Sequence, residues 1–536
     1  MTTPQPGQPD DERRAFASRT PVNENPDQVV YRRGFITKHQ VSGWRFVMRR
    51  IASGVALHDT RMLVDPLRAQ SRAVLMGLLV LTTIAAGCFT FTLIWPNRAA
   101  SNDQVLADRS TSALYVRVGE QLHPVLNLTS ARLVVGRPVN PTAVRTSALD
   151  TIPRGNLIGI PGAPERMVQS TVRDADWVVC DATAGSATGV AVIAGPPVSG
   201  GSRAGDLGSR RAVLAENGSG TWLLWDGKRS RIDLRDRAVT GALGLGGPGA
   251  EVPAPRTIAP GLLNTIPEAP ALIAPLIPGA GGSPQFDLPS PAPVGAVIEA
   301  HALAGTAGGG DNDTAYYAVL PDGLQPVSPV VAALLRNTDS YGMDRPLRFA
   351  ADEIARLPVS RALDTSRYPE QPVSVTDPAS EPVTCAHWSK PAGASTSSFG
   401  LLSGSALPLR DGTATLDLVG GGIGGTARRV ALPPGVGYFT QTAGPLFWIS
   451  DTGVRYGIEG EAGSSAAADV AKTVGALGLS QPALPIPWSV LSLFAPGPTL
   501  SRVDALLAHD GLPPDQRPTH RVGTDSMASV DGGETR

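Results

Sequence analysis

The sequence predicts an α+β protein built from a single transmembrane helix and an elongated exported region, in which four hairpin-and-helix repeats surround a central β-rich sub-domain. Three observations carry that expectation: one charge-free apolar run, a strand-turn-strand pattern that recurs four times, and two similar cysteine-bearing inserts between the repeats. The chain has 536 residues, with 60 glycines and 49 prolines, so it is turn-punctuated and long enough for several domains. Charged residues are 17% and the net charge is −1, which argues against a disordered polyampholyte and a whole-chain nucleic-acid binder.

The first 28 residues, rich in Pro, Asn, Asp and Gln, read as a disordered tail. Residues 29–72 form a basic segment. Within it, from His39 to Asp59, Val41, Trp44, Val47 or Met48, Ile51 and Val55 recur at helical spacing while Arg45, Arg49 and Arg50 crowd other faces. Such a basic amphipathic helix either lies on anionic headgroups or packs against a partner at the membrane surface; its charge could also serve topology alone. Large apolar groups at Trp44, Phe46 and Met48 favour docking, with Val41, Trp44, Arg45, Phe46, Arg49 and Arg50 as the docking residues.

Ala73–Trp95 holds 23 residues without a charge. At 1.5 Å per residue that is roughly 34 Å, enough to cross a bilayer core of about 30 Å. A signal peptide is the weaker reading, because 72 residues precede the run and it is too long for an h-region. Ala85-Ala-Gly-Cys88 approaches a lipobox, but the apolar run continues past Cys88. Nine Lys or Arg against two acids lie between Val29 and Arg72, and the far flank is balanced. Positive charge stays inside, so the N-terminus is expected in the cytoplasm and everything after residue 95 outside.

Turn glycines Gly119, Gly227, Gly323 and Gly453 each separate two strand-like runs: Leu114–Val118 with Leu122–Leu126, Trp222–Trp225 with Lys228–Leu234, Tyr316–Leu320 with Leu324–Val327, and Phe447–Ile449 with Val454–Ile458. An Ala/Leu/Val segment follows each, then an apolar-proline pair: Ile152-Pro153, Ile266-Pro267, Leu357-Pro358 and Ile486-Pro487. Four repeats are expected, at 96–165, 216–295, 296–375 and 437–510, with a disordered tail at 511–536. The inserts at 166–215 and 376–436 each read as a strand ending at a cysteine, a small-residue loop and a second apolar strand. Together they predict a central sub-domain with the repeats in pseudo-two-fold arrangement, clamped by Cys180 and Cys385. An exported location permits that bridge, worth about 4–5 kcal/mol at most in the chain-entropy model; two buried free thiols are the alternative.

Gln40-Val-Ser-Gly-Trp-Arg-Phe-Val-Met-Arg-Arg50, Asp65–Arg72 ahead of one span, Arg154–Pro164, both cysteine segments and Pro485–Leu491 resemble EccB, the core membrane component of mycobacterial type VII (ESX) secretion systems. The resemblance covers nearly the whole chain after Pro26. Its long form and Ala17–Asn23 look most like the paralogue of the iron-acquisition-linked system. The resemblance implies a structural subunit in the inner membrane with a periplasmic C-terminal region. It would assemble with an EccC-type ATPase, EccD and EccE, dimerise through periplasmic repeats, and sit near peptidoglycan. Family members also carry an ATPase label, which would imply ATP as ligand.

The residues themselves do not supply a phosphate cradle. No G-x-x-x-x-G-K-[ST] occurs; Asp226-Gly-Lys-Arg-Ser230 lacks the upstream glycine, and Gly244-Leu-Gly-Gly-Pro-Gly249 is followed by prolines that exclude the helix needed behind it. Both read as turns. Intrinsic hydrolysis is therefore not expected, and no catalytic, cofactor or metal residues are assigned. His39, His58, His123, His301, His387, His509 and His520 show no ligand spacing, and His387 near Cys385 reads as a packed or surface histidine rather than a thiol partner. A periplasmic ATPase or wall-binding component is the competing reading to the secretion scaffold.

Overall fold

The computed structural model describes residues 37–58, 66–94, 103–185, 188–246, 251–301, 314–422, 425–460 and 466–509. The tails expected to be disordered, 1–28 and 511–536, lie outside these. The chain divides into two bodies, Met1–Arg98 and Ala99–Arg536.

In the first body, α1 (Lys38–Leu57) starts at a capping box: the Thr37 hydroxyl accepts from the Gln40 amide, and the Gln40 side chain accepts from the Thr37 amide. It stops at His58, whose φ of 55° is left-handed. Helix α2 (Pro66–Ile94) begins seven residues before the charge-free run, because Pro66 suits a first helical turn and the following Arg and Gln continue it. Its stretch Gln70–Phe91 is long and apolar enough to cross a membrane, and none of it is buried in protein. Thr82, Thr83 and Thr90 turn their hydroxyls back onto carbonyls three and four residues earlier, at 2.8–3.0 Å, so none is left unpaired in an apolar surrounding.

The second body contains four related sheets and one central sheet. Unit 1 has an antiparallel meander, β1 (Val105–Asp108), β2 (Leu114–Val118) and β3 (Gln121–Pro124), then α3 (Leu128–Val135), β4 (Thr142–Val144) parallel to β1, α4 (Thr146–Leu149) and β5 (Leu157–Ile158). The first insert gives β6 (Ala175–Ala182), β7 (Gly189–Ala194) and β8 (Gly205–Asp206). Unit 2 repeats the plan with β9 (Arg211–Asn217), β10 (Gly220–Trp225), β11 (Lys228–Arg231), α5 (Arg237–Ala242), β12 (Arg256–Thr257), α6 (Pro260–Leu263) and β13 (Glu268–Ala269). Unit 3 has β14 (Val297–His301), β15 (Thr314–Leu320), β16 (Gly323–Val327), α7 (Pro329–Thr338), β17 (Leu347–Phe349) and α8 (Ala351–Ala355).

The chain then returns through β18 (Ser374–Val375) to the centre with β19 (Val383–Lys390), β20 (Ser398–Gly404), β21 (Leu416–Asp417) and β22 (Arg429–Ala431). Unit 4 has β23 (Tyr438–Gln441), β24 (Leu446–Ile449), β25 (Val454–Ile458), α9 (Ala467–Leu477), β26 (Leu484–Pro485), α10 (Trp488–Leu491) and β27 (Ala495–Pro496). Finally α11 (Arg502–Ala505) and β28 (Ala508–His509) close onto unit 1, where β28 pairs with β5.

The four units share one register. Leu106, Ala215, Ile298 and Thr440 each face an aromatic on the second strand (Tyr115, Trp222, Tyr317, Phe447) and a residue of the returning parallel strand (Thr142, Arg256, Leu347, Leu484). Two expectations are corrected by this. The hairpin is only part of each sheet: a first strand precedes it, and in unit 2 that strand, β9, starts before the expected boundary at 216. Ile152-Pro153, Ile266-Pro267 and Leu357-Pro358 do stand directly ahead of the last parallel pairing, at Arg154, Glu268 and Val359. Ile486-Pro487 instead precedes α10, and Leu493-Phe494 takes the equivalent place before β27.

Helix caps differ but serve one geometry. Asn127, Asp236 and Ser328 accept backbone N–H groups at the starts of α3, α5 and α7. Each helix lays its apolar face against a helix of another unit: α3 with α9 in one core (Leu133, Val134, Val474, Leu477), α5 with α7 in another (Val239, Ala242, Val331, Leu335). Units therefore pair first with fourth and second with third. Units 2 and 4 also dock on the centre through their hairpin turns. A Cβ at Gly227 would lie 2.6 Å from the Phe399 carbonyl oxygen, and one at Gly453 2.8 Å from Leu418 and Val430. With φ of +71° and +78°, both positions require glycine twice over.

The central sheet runs β21-β22-β7-β6-β19-β20-β8. Its strands do not end at the cysteines: β6 continues to Ala182, and Cys385 lies near the start of β19. Because the two strands are antiparallel, Cys180 and Cys385 fall directly opposite each other. Within the central sheet the two-fold relates the four middle strands and stops at the edges, where β8 meets β20 antiparallel whereas β22 meets β7 parallel.

Asp108, buried at the end of β1, accepts the Ser110 amide (2.9 Å), the Ser110 hydroxyl (2.8 Å) and the Thr146 hydroxyl (3.0 Å). These bonds, the Ser110 amide first, pull its carboxyl down to about 2 from 3.8. A depressed folded value contributes stability above about pH 3.8 that is lost as pH falls through 2. Denaturant titrations between pH 5 and 2 should show unit 1 weakening in the native chain, and D108N should flatten that acid limb; an unchanged limb would refute the assignment.

Candidate functional site

The Val41, Trp44, Met48, Ile51 and Val55 side chains of α1 fall within an arc of about 80° at 100° per residue. Trp44, Met48, Ile51 and Val55 are exposed, Val55 by 75%, and Val41 is half-buried. Ser53, on the opposite side of the helix, is buried. Arg45 and Arg49 line one edge of the stripe. Phe46 and Arg50, grouped with them from sequence, are exposed on the other side of the helix, so the structure assembles only part of that docking set into one face.

Cys180 and Cys385 form a disulfide across 205 residues. It is fully buried on the sheet face lined by Val178, Ile193, Val383 and Leu402. The opposite face carries Trp177, whose ring packs edge-on against Tyr438 and Phe494 of unit 4 and whose indole donates to the Pro485 carbonyl at 3.0 Å. His387 shares the cysteine face of β19, but its Nε2 is 3.0 Å from the Asp176 carboxylate. The histidine is engaged with an acid, not with sulfur.

A buried polar cluster that sequence reasoning missed ties unit 2 to the centre. Arg256 donates to the Glu381 carbonyl (2.8 Å), the Thr384 hydroxyl (2.9 Å) and the Thr376 hydroxyl (2.9 Å). Asp181 accepts the Ala259 amide at 2.7 Å. Burial pushes the Asp181 carboxyl up and the Arg256 guanidinium down, each partly offset by neighbouring donors or charges. Glu381 also reaches Arg211. No local pattern in Val252-Pro-Ala-Pro-Arg256 signals that its arginine is interior.

The two glycine motifs resolve as turns where they are described. Asp226 and Gly227 form the β10–β11 turn, and Lys228 lies over the Trp225 ring at 4.0 Å with its ammonium 3.6 Å from Asp226. Gly244 has φ of +75° just after α5; residues 247–250 lie outside the described set. Among the described residues, no group of three or more His, Cys, Asp or Glu could hold a metal ion.

Residues 33–514 match the family model "Type VII secretion system ESX-1, transport TM domain B". The chain is 64% identical over 531 residues to "ESX-3 secretion system ATPase EccB3" of Mycobacterium tuberculosis, covering 96% of this chain and 97% of that protein. It is 62% identical over 520 residues to the protein of the same name from Mycolicibacterium smegmatis, covering 95% and 97%. Its structure is similar to a chain of an intact ESX-5 inner membrane complex, with TM-score 0.71 and 35% identity over 92% of this chain and all of that one. An EccB3 dimer from the ESX-3 core complex gives TM-score 0.67 and 58% identity over 76% of this chain and all of that one.

Replacing both cysteines by serine should lower unfolding stability by about 2–5 kcal/mol, read by denaturant melts under non-reducing conditions. Recovery of unlinked Cys180 from the native, alkylated chain would contradict the bridge. Arg256→Leu should cost about 3–5 kcal/mol, because it strands the acceptors and acids around it.

Proposed function

The chain belongs to the EccB family of type VII (ESX) secretion systems as a structural core subunit of the inner-membrane complex, and we propose that its two bodies divide anchoring from assembly. The unburied helix α2 crosses the membrane once, with the N-terminus cytoplasmic and the Ala99–Arg536 body periplasmic. Excess Lys and Arg ahead of the span support that direction. The α1 stripe docks at the cytoplasmic surface, its apolar side chains inserted and Arg45 and Arg49 meeting anionic groups. The periplasmic body pairs with a second copy through its repeats; the similar EccB3 chain is a dimer from the ESX-3 core complex, which supports pairing of two copies. An EccC-type ATPase, EccD and EccE are the membrane partners this role requires.

The observation that carries the reading is the build itself: one unburied apolar helix joined to a disulfide-closed body of four related units around a central sheet. Relatives are named ATPases, and that name supports a second reading in which this chain hydrolyses ATP itself. Against it stands Lys228, the cation of the nearest phosphate-like motif, which is spent on an indole face and a carboxylate.

Detergent extraction of the tagged full chain should yield a large complex containing the partner ATPase, and Trp44→Glu with Ile51→Glu should reduce its recovery several-fold. A monomeric, partner-free particle would overturn the scaffold role. ATP turnover by the purified chain alone, lost on one side-chain substitution, would establish the second reading.

A further inference from the structure

Cys180 and Cys385 are completely buried, and the cluster around them is apolar, with Leu407 and Leu409 packed against it. Thiol–disulfide exchange needs one sulfur to reach another, so neither sulfur of the closed sheet can meet an oxidant the size of a protein. The bridge is therefore installed before the sheet closes. Topology shows what that open state contains. β6 and β7 pair as a hairpin across residues 183–188, and β19 and β20 pair as a second hairpin across residues 391–397. In the order β7-β6-β19-β20, β6 is an edge strand of the first hairpin until the second arrives. Leu407 and Leu409 follow β20 in the chain, so the cysteine face is still uncovered when β19 docks.

With the N-terminus cytoplasmic and the body periplasmic, the reading on which this proposal rests, Cys180 reaches the oxidising side first. Its partner lies 205 residues further along, and the body holds no other cysteine. Two rates then decide the outcome. β-rich chains fold in milliseconds to seconds, whereas uncatalysed disulfide exchange takes minutes to hours. Left to uncatalysed oxidation, the two hairpins would join over reduced thiols and shut the oxidant out. A bridge between β6 and β19 requires that Cys180 already carry an activated sulfur when the second hairpin docks.

We propose that Cys180 is the client site of a dithiol–disulfide oxidoreductase in the exported compartment, and that Cys385 is the resolving residue. The Cys180 thiolate attacks the active disulfide of the oxidoreductase, forming a mixed disulfide and displacing one of its sulfurs as a thiolate, which takes up a proton. When β19 docks, the Cys385 thiolate attacks the Cys180 sulfur, the bridge forms, and the second oxidoreductase sulfur leaves and is protonated in turn. Two electrons and two protons pass from the two cysteines to the oxidoreductase, which departs as the dithiol. The antiparallel register sets Cys385 directly opposite Cys180, so strand docking delivers the resolving sulfur to the mixed disulfide.

The test uses the full-length chain made in mycobacterial cells with Cys88→Ala, so that no third thiol reports, acid-quenched and alkylated before non-reducing electrophoresis and mass spectrometry. Cys385→Ser should accumulate a reductant-sensitive adduct joining Cys180 to a Cys-x-x-Cys peptide of another protein, at several-fold the level of any adduct on Cys180→Ser. The chain with both cysteines should show the same adduct only transiently after a pulse of label. These adducts form on the open chain, so misfolding of either variant leaves the readout intact. Dithiothreitol added to the native chain should spare the bridge until denaturant is present. No protein adduct on Cys385→Ser, equal adducts on the two variants, or reduction of the bridge in the native chain would each overturn the proposal. A body retained in the cytoplasm gives a different result, with both cysteines unlinked and alkylated in the chain that keeps them, and that outcome refutes the periplasmic placement itself.

Discussion

The fold depends on one strand pairing. β6 and β19 come from segments about two hundred residues apart, yet they run side by side through eight registered pairs with a disulfide at one of them. Bringing such distant segments together costs loop entropy that only a long, well-packed ladder and a covalent link offset. Once the pair exists, one face holds the buried cysteines and the other presents Trp177 to unit 4. Units 2 and 4 then close onto the centre by their turn glycines, and units 1 and 3 attach to those in turn through helix pairs. The Arg256 cluster reinforces the same join from unit 2 by filling otherwise buried acceptors.

Much of this was legible because it is written in short-range chemistry. A turn glycine between two apolar runs needs only local sterics, and three hairpins turn at Gly119, Gly227 and Gly453; Gly323, expected in a turn as well, instead opens β16 opposite Leu320, and Pro321 and Asp322 make the third turn. The span was legible from the absence of charge. The first strand of every unit was not: Val105–Asp108 and Arg211–Asn217 look like ordinary loop flanks until the hairpin beside them supplies a partner. The cysteine pairing could be inferred by elimination but not its position, since only the antiparallel register puts the end of β6 opposite the start of β19.

The fourth unit shows why pattern alone misleads. An apolar-proline pair serves two different places in these units, ahead of the short helix and ahead of the last parallel pairing, and only pairing distinguishes them. Likewise, a helical wheel on α1 separates Phe46 and Arg50 from the stripe, whereas a list of large and basic residues merges them. The buried Arg256 carries no signal in sequence because its hydrogen-bond partners are carbonyls and hydroxyls of a single stretch, Thr376 to Thr384, more than a hundred residues downstream.

The nesting of the units sets a schedule. The helix of unit 1 finds the apolar face that covers it only in α9, more than three hundred residues downstream, and β5 waits longer still for β28. At roughly 5–20 residues per second of synthesis, the first unit to be made stays incomplete for on the order of twenty seconds to a minute. Units 2 and 3, adjacent in the chain, can seal their shared core long before. The molecule therefore matures from its middle outward, and the part joined to the membrane helix is the last to become finished.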